Sequence, residues 1–493
     1  MSRIMLEVEP EYQGIVDAVS ALLDKLRQRR EEAKTKPSID YAQVEREVAQ
    51  GVACIERSAH ATVLLALDMD APEVRVGGRR YRRVHRCRGS YYTMAGPVNL
   101  ERTLYRPAGE RNAATVDTIS LRAGVVGDGW LPETAAAMAW ECQRATSREA
   151  EGASDRWQRL PYSRCAFERV THLVGEQYGQ KREEVERVLV EQMSIPEAAH
   201  AISVSLDRVS IPMEEPRQEP PRNPEKEPER SPKRKAKKRY VQRVFRMAYA
   251  ATVTLHDATG KSLLTLRYGR MPQGDIDGLC TALCDDVQTL LGRCPSLLVV
   301  LLCDGAKELW NRLGAEFTEA SLGTKIHRLV DLWHLLEKLG SAAKVLYGDE
   351  QGSAQLGRWR LQLLNDNTAV EQILQVLRDS KKESVRVGDS RPVHEAITYL
   401  ENHRDDMRYQ SARSLGLPVG SGNVEATCKS LFELRLKRPG CRWKTDSGGH
   451  IVDLRALALS DRYPQALAHA LAPLRNNVSL ADSHPPTRLC CAG

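Results

Sequence analysis

The stretch SLLVVLLCDGAKELW, residues 296–310, constrains the fold more than any other. Seven of the eight residues from Leu297 to Asp304 are apolar, and the run stops on a carboxylate followed by glycine. So short an apolar run, bounded by turn residues, reads as a buried strand over 297–303. Strands buried on both faces belong to sheets that helices cover on each side. The next stretch, AKELWNRLGAEF, reads as a helix. In open α/β sheets the site lies beyond the carboxyl ends of the strands. Asp304 stands at such an end, and Gly305 is expected to leave room for a ligand beside it. An unpaired buried carboxylate is costly, so Asp304 needs a cation, a partner or solvent. Capping the following helix is its plain alternative.

Other strands surround this one in sequence. In AISVSLDRVSIPM, 201–213, Ile202, Val204 and Leu206 alternate with Ser203, Ser205 and Asp207, a period-two strand with a polar face. Residues 214–239, EEPRQEPPRNPEKEPERSPKRKAKKR, hold six prolines and dense charge. That composition cannot build a core and reads as an extended, disordered insertion. Its basic end, KRKAKKR, is either a solvated linker or an arm that contacts nucleic acid. Two β-rich runs then flank Asp257-Ala-Thr-Gly260, a turn sequence. GDIDGLCTALCDDVQTLLGR reads as an amphipathic helix, KIHRLVDLWH as a strand leading into a helix, and 350–410 as helical, with Trp359, Leu361, Leu363 and Leu364 as core candidates. Three successive strands followed by strand–helix alternation is the order of a ribonuclease-H-like fold.

The first 200 residues differ. Residues 1–67 read mostly helical, 81–106 as a small β-hairpin about a Gly-Pro turn, and 133–150 and 163–200 as helix again. Within the last segment two helices are expected to break at Tyr178-Gly179. The pair is either a helix-turn-helix that reads DNA or an ordinary helical hairpin.

Composition excludes several classes. Among 493 residues the net charge is +7, which is compatible with a nucleic-acid partner without proving one. The 12 cysteines contain no CxxC pair, which argues against a zinc ribbon and a secreted disulfide scaffold. The N-terminus has no apolar signal core, and no stretch approaches the roughly 18 apolar residues of a membrane span. A soluble cytoplasmic protein, nucleoid-associated and without a membrane partner, is expected.

Asp304 has two companions. Asp207 lies inside a strand, where Asp is disfavoured and calls for a reason; pairing with Arg208 or Arg243 is the plain one. Its rival as first acid, Asp257, sits in HDATGK, where a tight turn already explains it. Glu425 lies in GLPVGSGNVEATCKSLFELRLKRPGCRW, 416–443, where Gly420-Ser421-Gly422 is a flexible turn and Asn423 a candidate N-cap of a helix running through Leu436. Its plain reading is an ion pair with Lys429 one turn on. Together the three carboxylates suit Mg²⁺, which prefers oxygen ligands. Two such ions about 4 Å apart stabilise the attacking and leaving oxygens of a phosphodiester displacement. Lys429, Arg435, Lys437, Arg438, Arg442 and Lys444, with Trp443 interleaved, would hold a DNA backbone without reading its sequence; a solvated helix face is the alternative.

CDGAKELWNRL, HRLVDLWHLLEKL and LPVGSGNVEATCKSLFELRLKRPGCRW, followed by LRALALSDRY, resemble the DDE transposases of bacterial insertion sequences, specifically the ISKra-like family. The resemblance covers about 200 through 463. It implies a ribonuclease-H-like catalytic core, metal-dependent DNA strand cleavage and transfer, and Asp207, Asp304 and Glu425 as catalytic acids and ligands of two Mg²⁺ or Mn²⁺ ions. Asp331 and His334 match a recurring family block beside the metals; a helix cap and a satisfied core histidine are their plain readings. Two features depart from the family. Only His85 and Cys87 stand where family members often carry zinc-binding cysteine pairs, and Arg208 replaces the usual glycine after the first acid.

The expected chain is therefore α/β: a ribonuclease-H-like catalytic core with a helical insertion, preceded by a mainly helical N-terminal region with a small β element. The boundaries expected are 1–130 for the helical and β region, 131–200 for the helical region with the candidate helix-turn-helix, and 201–345 for the first part of the core. A helical insertion comes next at 346–410, then the last acidic helix and basic segment at 411–465, and a tail at 466–493. The partners implied are double-stranded DNA, as terminal repeats and target, and further copies of the chain. A non-catalytic DNA-binding derivative and a nuclease without joining activity are the alternatives.

Overall fold

The computed structural model describes residues 7–218 and 240–481. Residues 219–239, most of the expected insertion and its basic end, lie outside them. The chain divides into two compact units, 1–182 with 464–493, and 183–463. The division between them falls inside a helix.

In the first unit, α1 (Gln13–Thr35) and α2 (Tyr41–Leu65) precede β1 (Glu73–Val76), β2 (Arg79–Thr93), β3 (Gly96–Pro107) and β4 (Val116–Asp117). The β2–β3 hairpin is the one expected, longer by a few residues. Then come α3 (Thr118–Ala123), α4 (Pro132–Arg144), α5 (Ser147–Trp157) and α6 (Arg164–Gln192). The break expected at Tyr178-Gly179 is absent: α6 runs unbroken for 29 residues, so this segment forms no helix-turn-helix. A mid-helix glycine costs only about 1 kcal/mol, and Phe167, Val170, Val174 and Tyr178 are all buried along it.

The second unit is built on β5 (Ala201–Pro216), β6 (Val241–His256), β7 (Ser262–Arg270), β8 (Leu298–Cys303) and β9 (Ile326–Val330). Their order in the sheet is β7-β6-β5-β8-β9. The first three are antiparallel neighbours, and β5, β8 and β9 run parallel. β5 continues three residues beyond the expected start of the insertion, with Glu214, Glu215 and Pro216 paired to Arg243, Gln242 and Val241.

The polar face expected on β5 is buried too: Ser203 and Ser205 are 3 % and 2 % exposed. Helices cover both sides of the sheet. Ile202, Val204 and Leu206 face a core made with α7 (Ile276–Arg293), α8 (Lys307–Glu316) and α10 (Leu332–Tyr347), a short α9 (Glu319–Leu322) lying between the last two in sequence. The other face packs Val209, Ile211 and Met213 against Val424, Phe432, Leu436 and Ile451. Those residues come from α15 (Gly422–Thr427), a π-helical stretch (Cys428–Glu433), α16 (Leu434–Leu436) and α17 (Thr445–Leu459).

The helical insertion comprises α11 (Asp349–Asn365), α12 (Ala369–Asp379), α13 (Pro392–His403) and α14 (Tyr409–Ser414). Trp359 and Leu363 enter the main core at 1 % exposure each, whereas Leu361, also expected there, is 62 % exposed because it lies two residues round the helix from both. Residues 466–481, expected as tail, include most of α18 (Tyr463–Leu471) and all of β10 (Val478–Leu480), which pairs with β1. The first unit's sheet is ordered β10-β1-β2-β3-β4. No helix of the described residues is long and apolar enough to cross a membrane.

Truncating a buried Trp costs about 3–5 kcal/mol, whereas surface substitutions usually stay within about 0.5 kcal/mol. Trp359→Ala is expected to fall in the first class and Leu361→Ala in the second, as urea denaturation of the two variants will read.

Candidate active site

Register brings three aspartates toward the carboxyl ends of β8 and β9. Each β5 residue pairs with the β8 residue 97 further on, as Val204 does with Leu301 (301 − 204 = 97). Carried three residues past the last pair, the same offset points Asp207 toward Asp304, whose charge acts on it. Each β8 residue pairs with the β9 residue 27 further on, as Cys303 does with Val330 (330 − 303 = 27), which sets Asp304 opposite Asp331. Residues opposite one another share a face, on strands about 4.8 Å apart. The β5–β8 ladder stops at Val204, and beyond it the Leu206 amide donates to Cys303 Sγ at 3.4 Å. The Asp331 amide donates to the Cys303 carbonyl at 2.8 Å.

Asp207 is half-buried. Its Oδ1 accepts from the Arg208 amide at 2.6 Å, and Oδ2 accepts from Cys428 Sγ at 3.3 Å. Burial pushes its carboxyl above the usual range; those hydrogen bonds oppose the rise and the charge of Asp304 adds to it. Arg208 does not neutralise Asp207: its guanidinium pairs with Glu308 at 2.6 Å. Asp257 lies at the opposite end of the sheet, where it closes the β6–β7 turn by accepting from Thr259 and Lys261.

Asp304 Oδ1 accepts from the Ala306 amide at 3.0 Å, the start of α8. The room expected beside Gly305 is filled: a Cβ there would stand 2.5 Å from Tyr399 and 2.9 Å from His403, both on α13. The glycine is needed for close packing of the helical insertion against the strand end.

Asp331 is 2 % exposed. Its Oδ1 accepts from the Trp333 amide at 2.6 Å and the His334 amide at 3.0 Å, capping α10. Its Oδ2 accepts from the Ser421 amide, and from Ser421 Oγ at 2.5 Å. Burial alone would raise its pKa, but these bonds and His334 outweigh burial and bring it down to about 2. His334 Nδ1 lies 3.5 Å from Asp331 Oδ1, an ion-pair distance without a hydrogen bond. That partner raises the imidazole to about 9 against the effect of burial.

Glu425 does not join them. Its carboxylate pairs with Lys429 at 2.9 Å, and its side chain is 57 % exposed. Asn423 is inside α15 rather than at its cap, bonded to Ser262, and the expected single helix is interrupted by the π-helical stretch. Among the described residues no group of three or more His, Cys, Asp or Glu side chains is placed to hold a metal ion. Asp207 and Asp304 are hard oxygen donors of the right kind; the third carboxylate of the expected set, Glu425, is exposed and paired with Lys429.

The basic segment also differs from a plain phosphate-binding face. Arg435 is 6 % exposed, and its guanidinium lies 5.0 Å from the Trp443 ring centroid. Trp443 is built into the fold: its Nε1 donates to the Leu436 carbonyl, its amide to Pro212, and its carbonyl accepts from Glu214. Arg442 pairs with Glu214 and Lys437 with Glu433. Lys429 and Lys444 are exposed, and Arg438 donates to the Leu434 carbonyl. Arg435 and Trp443 are therefore packing residues here. Ser421, Cys428, Tyr399 and His403 are site neighbours that sequence reasoning missed. The first two lie inside the segment 416–443, but nothing in the sequence sets Tyr399 beside Gly305.

No family model and no curated protein matches the chain. One similar solved structure is the Drosophila P element transposase strand transfer complex, at 12 % identity and a TM-score of 0.35, over 67 % of this chain and 92 % of that one. Likeness at that level carries no argument about function, which is read from the residues of this chain alone.

Asp331→Ala removes a cap, worth about 1 kcal/mol, and leaves buried donors of Ser421 unpaired, at about 1–3 kcal/mol. A loss of about 2–4 kcal/mol is expected in denaturant titration. Asp331 is depressed from 3.8 and His334 raised from 6.5. The aspartate's contribution is present above about pH 4 and lost as pH falls toward 2. The histidine's is present below about pH 6.5 and lost as pH rises through 9. His334→Gln is expected to flatten the stability profile on the alkaline side and, because His334 helps depress Asp331, to weaken part of the acid-side dependence as well.

Proposed function

We propose that this chain is a DDE-type DNA transposase whose second unit is a ribonuclease-H-like core that cleaves and transfers DNA strands. The observation that carries the reading is the pair Asp207, inside β5, and Asp304, just past the end of its parallel neighbour β8, coupled through their charges. The sheet order, three antiparallel strands followed by two parallel ones, supports the same core. Two carboxylates side by side repel each other, a cost that a divalent cation removes. Mg²⁺ or Mn²⁺ is accordingly part of the proposal, with Asp207 and Asp304 as donors. A bound cation would supply charge stabilisation at the phosphate under attack.

The protein's own part is positioning. Asp331 holds Ser421, and with it the turn that leads into the Glu425 helix, against the end of β9. The Leu332 amide donates to the Val419 carbonyl at 3.1 Å, a second tie between the same segments. Cys428, one turn after Glu425, reaches Asp207. The helix that carries Glu425 thus lies over the face that carries the aspartates. A second reading, a DNA-binding derivative without catalysis, is favoured by the Glu425–Lys429 pair, which leaves the ligand set one carboxylate short.

Asp304→Ala is expected to abolish Mg²⁺-dependent cleavage of a labelled duplex while leaving the circular dichroism spectrum and duplex binding nearly unchanged. A variant that cleaves at the wild-type rate would remove the assignment. Glu425→Gln separates the two readings. Loss of strand joining supports catalysis with Glu425 as third acid, whereas wild-type chain that binds duplex without cleaving it supports the binding-only derivative.

A further inference from the structure

We infer that one face of the first unit's sheet, carrying Arg75, Arg80, Arg82 and Arg106, is a docking surface for the phosphate backbone of duplex DNA. The inference deepens the proposed function by giving its DNA partner a second surface, outside the candidate active site.

The face comes from register. Arg75 on β1 stands directly opposite Arg80 on β2, and Arg82 directly opposite Arg106 on β3. Glu73 stands opposite Arg82 and two residues from Arg75. Opposite residues share a face, as do residues two apart on a strand, so all five side chains project from one side. Contacts agree: Glu73 pairs with Arg82 at 2.8 Å and reaches Arg80 at 3.8 Å. Four guanidiniums against one carboxylate leave three uncompensated charges (4 − 1 = 3).

The far side of the same sheet is neutralised. Arg83 pairs with Asp70 at 3.0 Å, Arg86 with Asp70 at 3.2 Å and Asp68 at 3.8 Å, and Arg88 with Glu101 at 3.3 Å. The charge excess is therefore a property of one face, not of the hairpin as a whole.

Its arrangement is costly. Like charges directly opposite on neighbouring strands destabilise a sheet, and here two such pairs occur. Charges on an edge strand can protect against aggregation, but β1 and β2 are interior strands of this sheet, so that explanation fails. The Nε atoms of Arg75 and Arg106 are buried without a hydrogen-bond partner among the described residues. A buried unpaired donor carries a desolvation penalty. An anion laid across the face would relieve the repulsion between the paired guanidiniums.

The residue type narrows the anion. From Glu73 to Pro107 the chain has nine arginines and no lysine. The guanidinium fork fits phosphate and carboxylate oxygens two at a time, whereas lysine offers a point charge. Arg80 and Arg82 are 55 % and 72 % exposed, open to a ligand. Two rows of arginine on neighbouring extended strands suit a polyanion with regularly repeated phosphates rather than a single small anion.

The experiment titrates fluorescein-labelled duplex DNA with the full chain over a range of KCl concentrations. Each phosphate contact contributes about 0.9 to the slope of log affinity against log salt. The double variant Arg75→Ala/Arg106→Ala is expected to flatten that slope by about two units with no fall in melting temperature, since it removes two repulsive pairs. The double variant Arg83→Ala/Arg86→Ala, on the neutralised side, is expected to keep the wild-type slope. Equal slopes for wild type and the first variant, or equal losses in both variants, would overturn the inference. So would tighter binding of phosphatidylserine vesicles than of duplex. Should Arg75→Ala/Arg106→Ala misfold, Arg80→Gln/Arg82→Gln at the exposed positions reads the same slope. A flattened slope in a chain whose Asp304→Ala variant cleaves like wild type removes the proposed active site and leaves this surface standing. An unchanged slope in a chain whose cleavage depends on Asp304 does the reverse.

Discussion

Asp331 accepts from the first turn of α10 with one oxygen and from Ser421 with the other. A carboxylate so enclosed stays charged because its four hydrogen bonds and the neighbouring His334 favour the ionised form by more than burial disfavours it. It binds the end of β9, the start of α10 and the turn before α15 into one piece. The other contacts at this end of the sheet depend on that piece. With the 420–422 turn in place, α15 lies along β5 and β6, and Cys428 meets Asp207. Without it, the segment that carries Glu425 would have no fixed position relative to the two aspartates.

The strands of this sheet were legible because their composition left little choice. The run from Leu297 to Cys303 is too apolar for anything but a doubly covered strand, and the turn at Asp257–Gly260 has the side chain that closes it. Alternation was less reliable. Ser203 and Ser205 read as a polar face, yet both are buried, because the helical layer on that side of the sheet comes from sequence more than two hundred residues away. The same remoteness hides the contact between Gly305 and α13. Local pattern also overstated the break at Tyr178-Gly179, where burial of Tyr178 overrides the weak helix preference of its neighbour.

For the candidate site, the sequence made Asp304 conspicuous, and the strand register adds Asp207 beside it. The plain readings of Asp331 as a cap and of Glu425 as the partner of Lys429 are the ones observed. Basic residues counted along a segment gave no hint of which would be spent inside. Arg435 and Trp443 form one stacked unit in the core of α16 and its connection to β5, and only the tertiary contacts reveal it. In the first unit, the opposite happened: the arginines of β2 look alike in sequence, and only the pairing of strands separates those matched to aspartates from those facing one another.

β10 has a consequence for how the chain is made. It lies against β1, and the residues just before it are tied to α3 through the Asn476 amide and the Leu121 carbonyl. Everything else in the first unit's sheet has left the ribosome by residue 182, but β10 ends at Leu480, 298 residues later (480 − 182 = 298). At about 5–20 residues per second, that is a delay of roughly 15–60 s. During it the second unit is synthesised whole while the outer edge of β1 has no neighbour. A nascent first unit therefore waits with an open strand edge, the kind that recruits other chains, until its own distant segment arrives to close it.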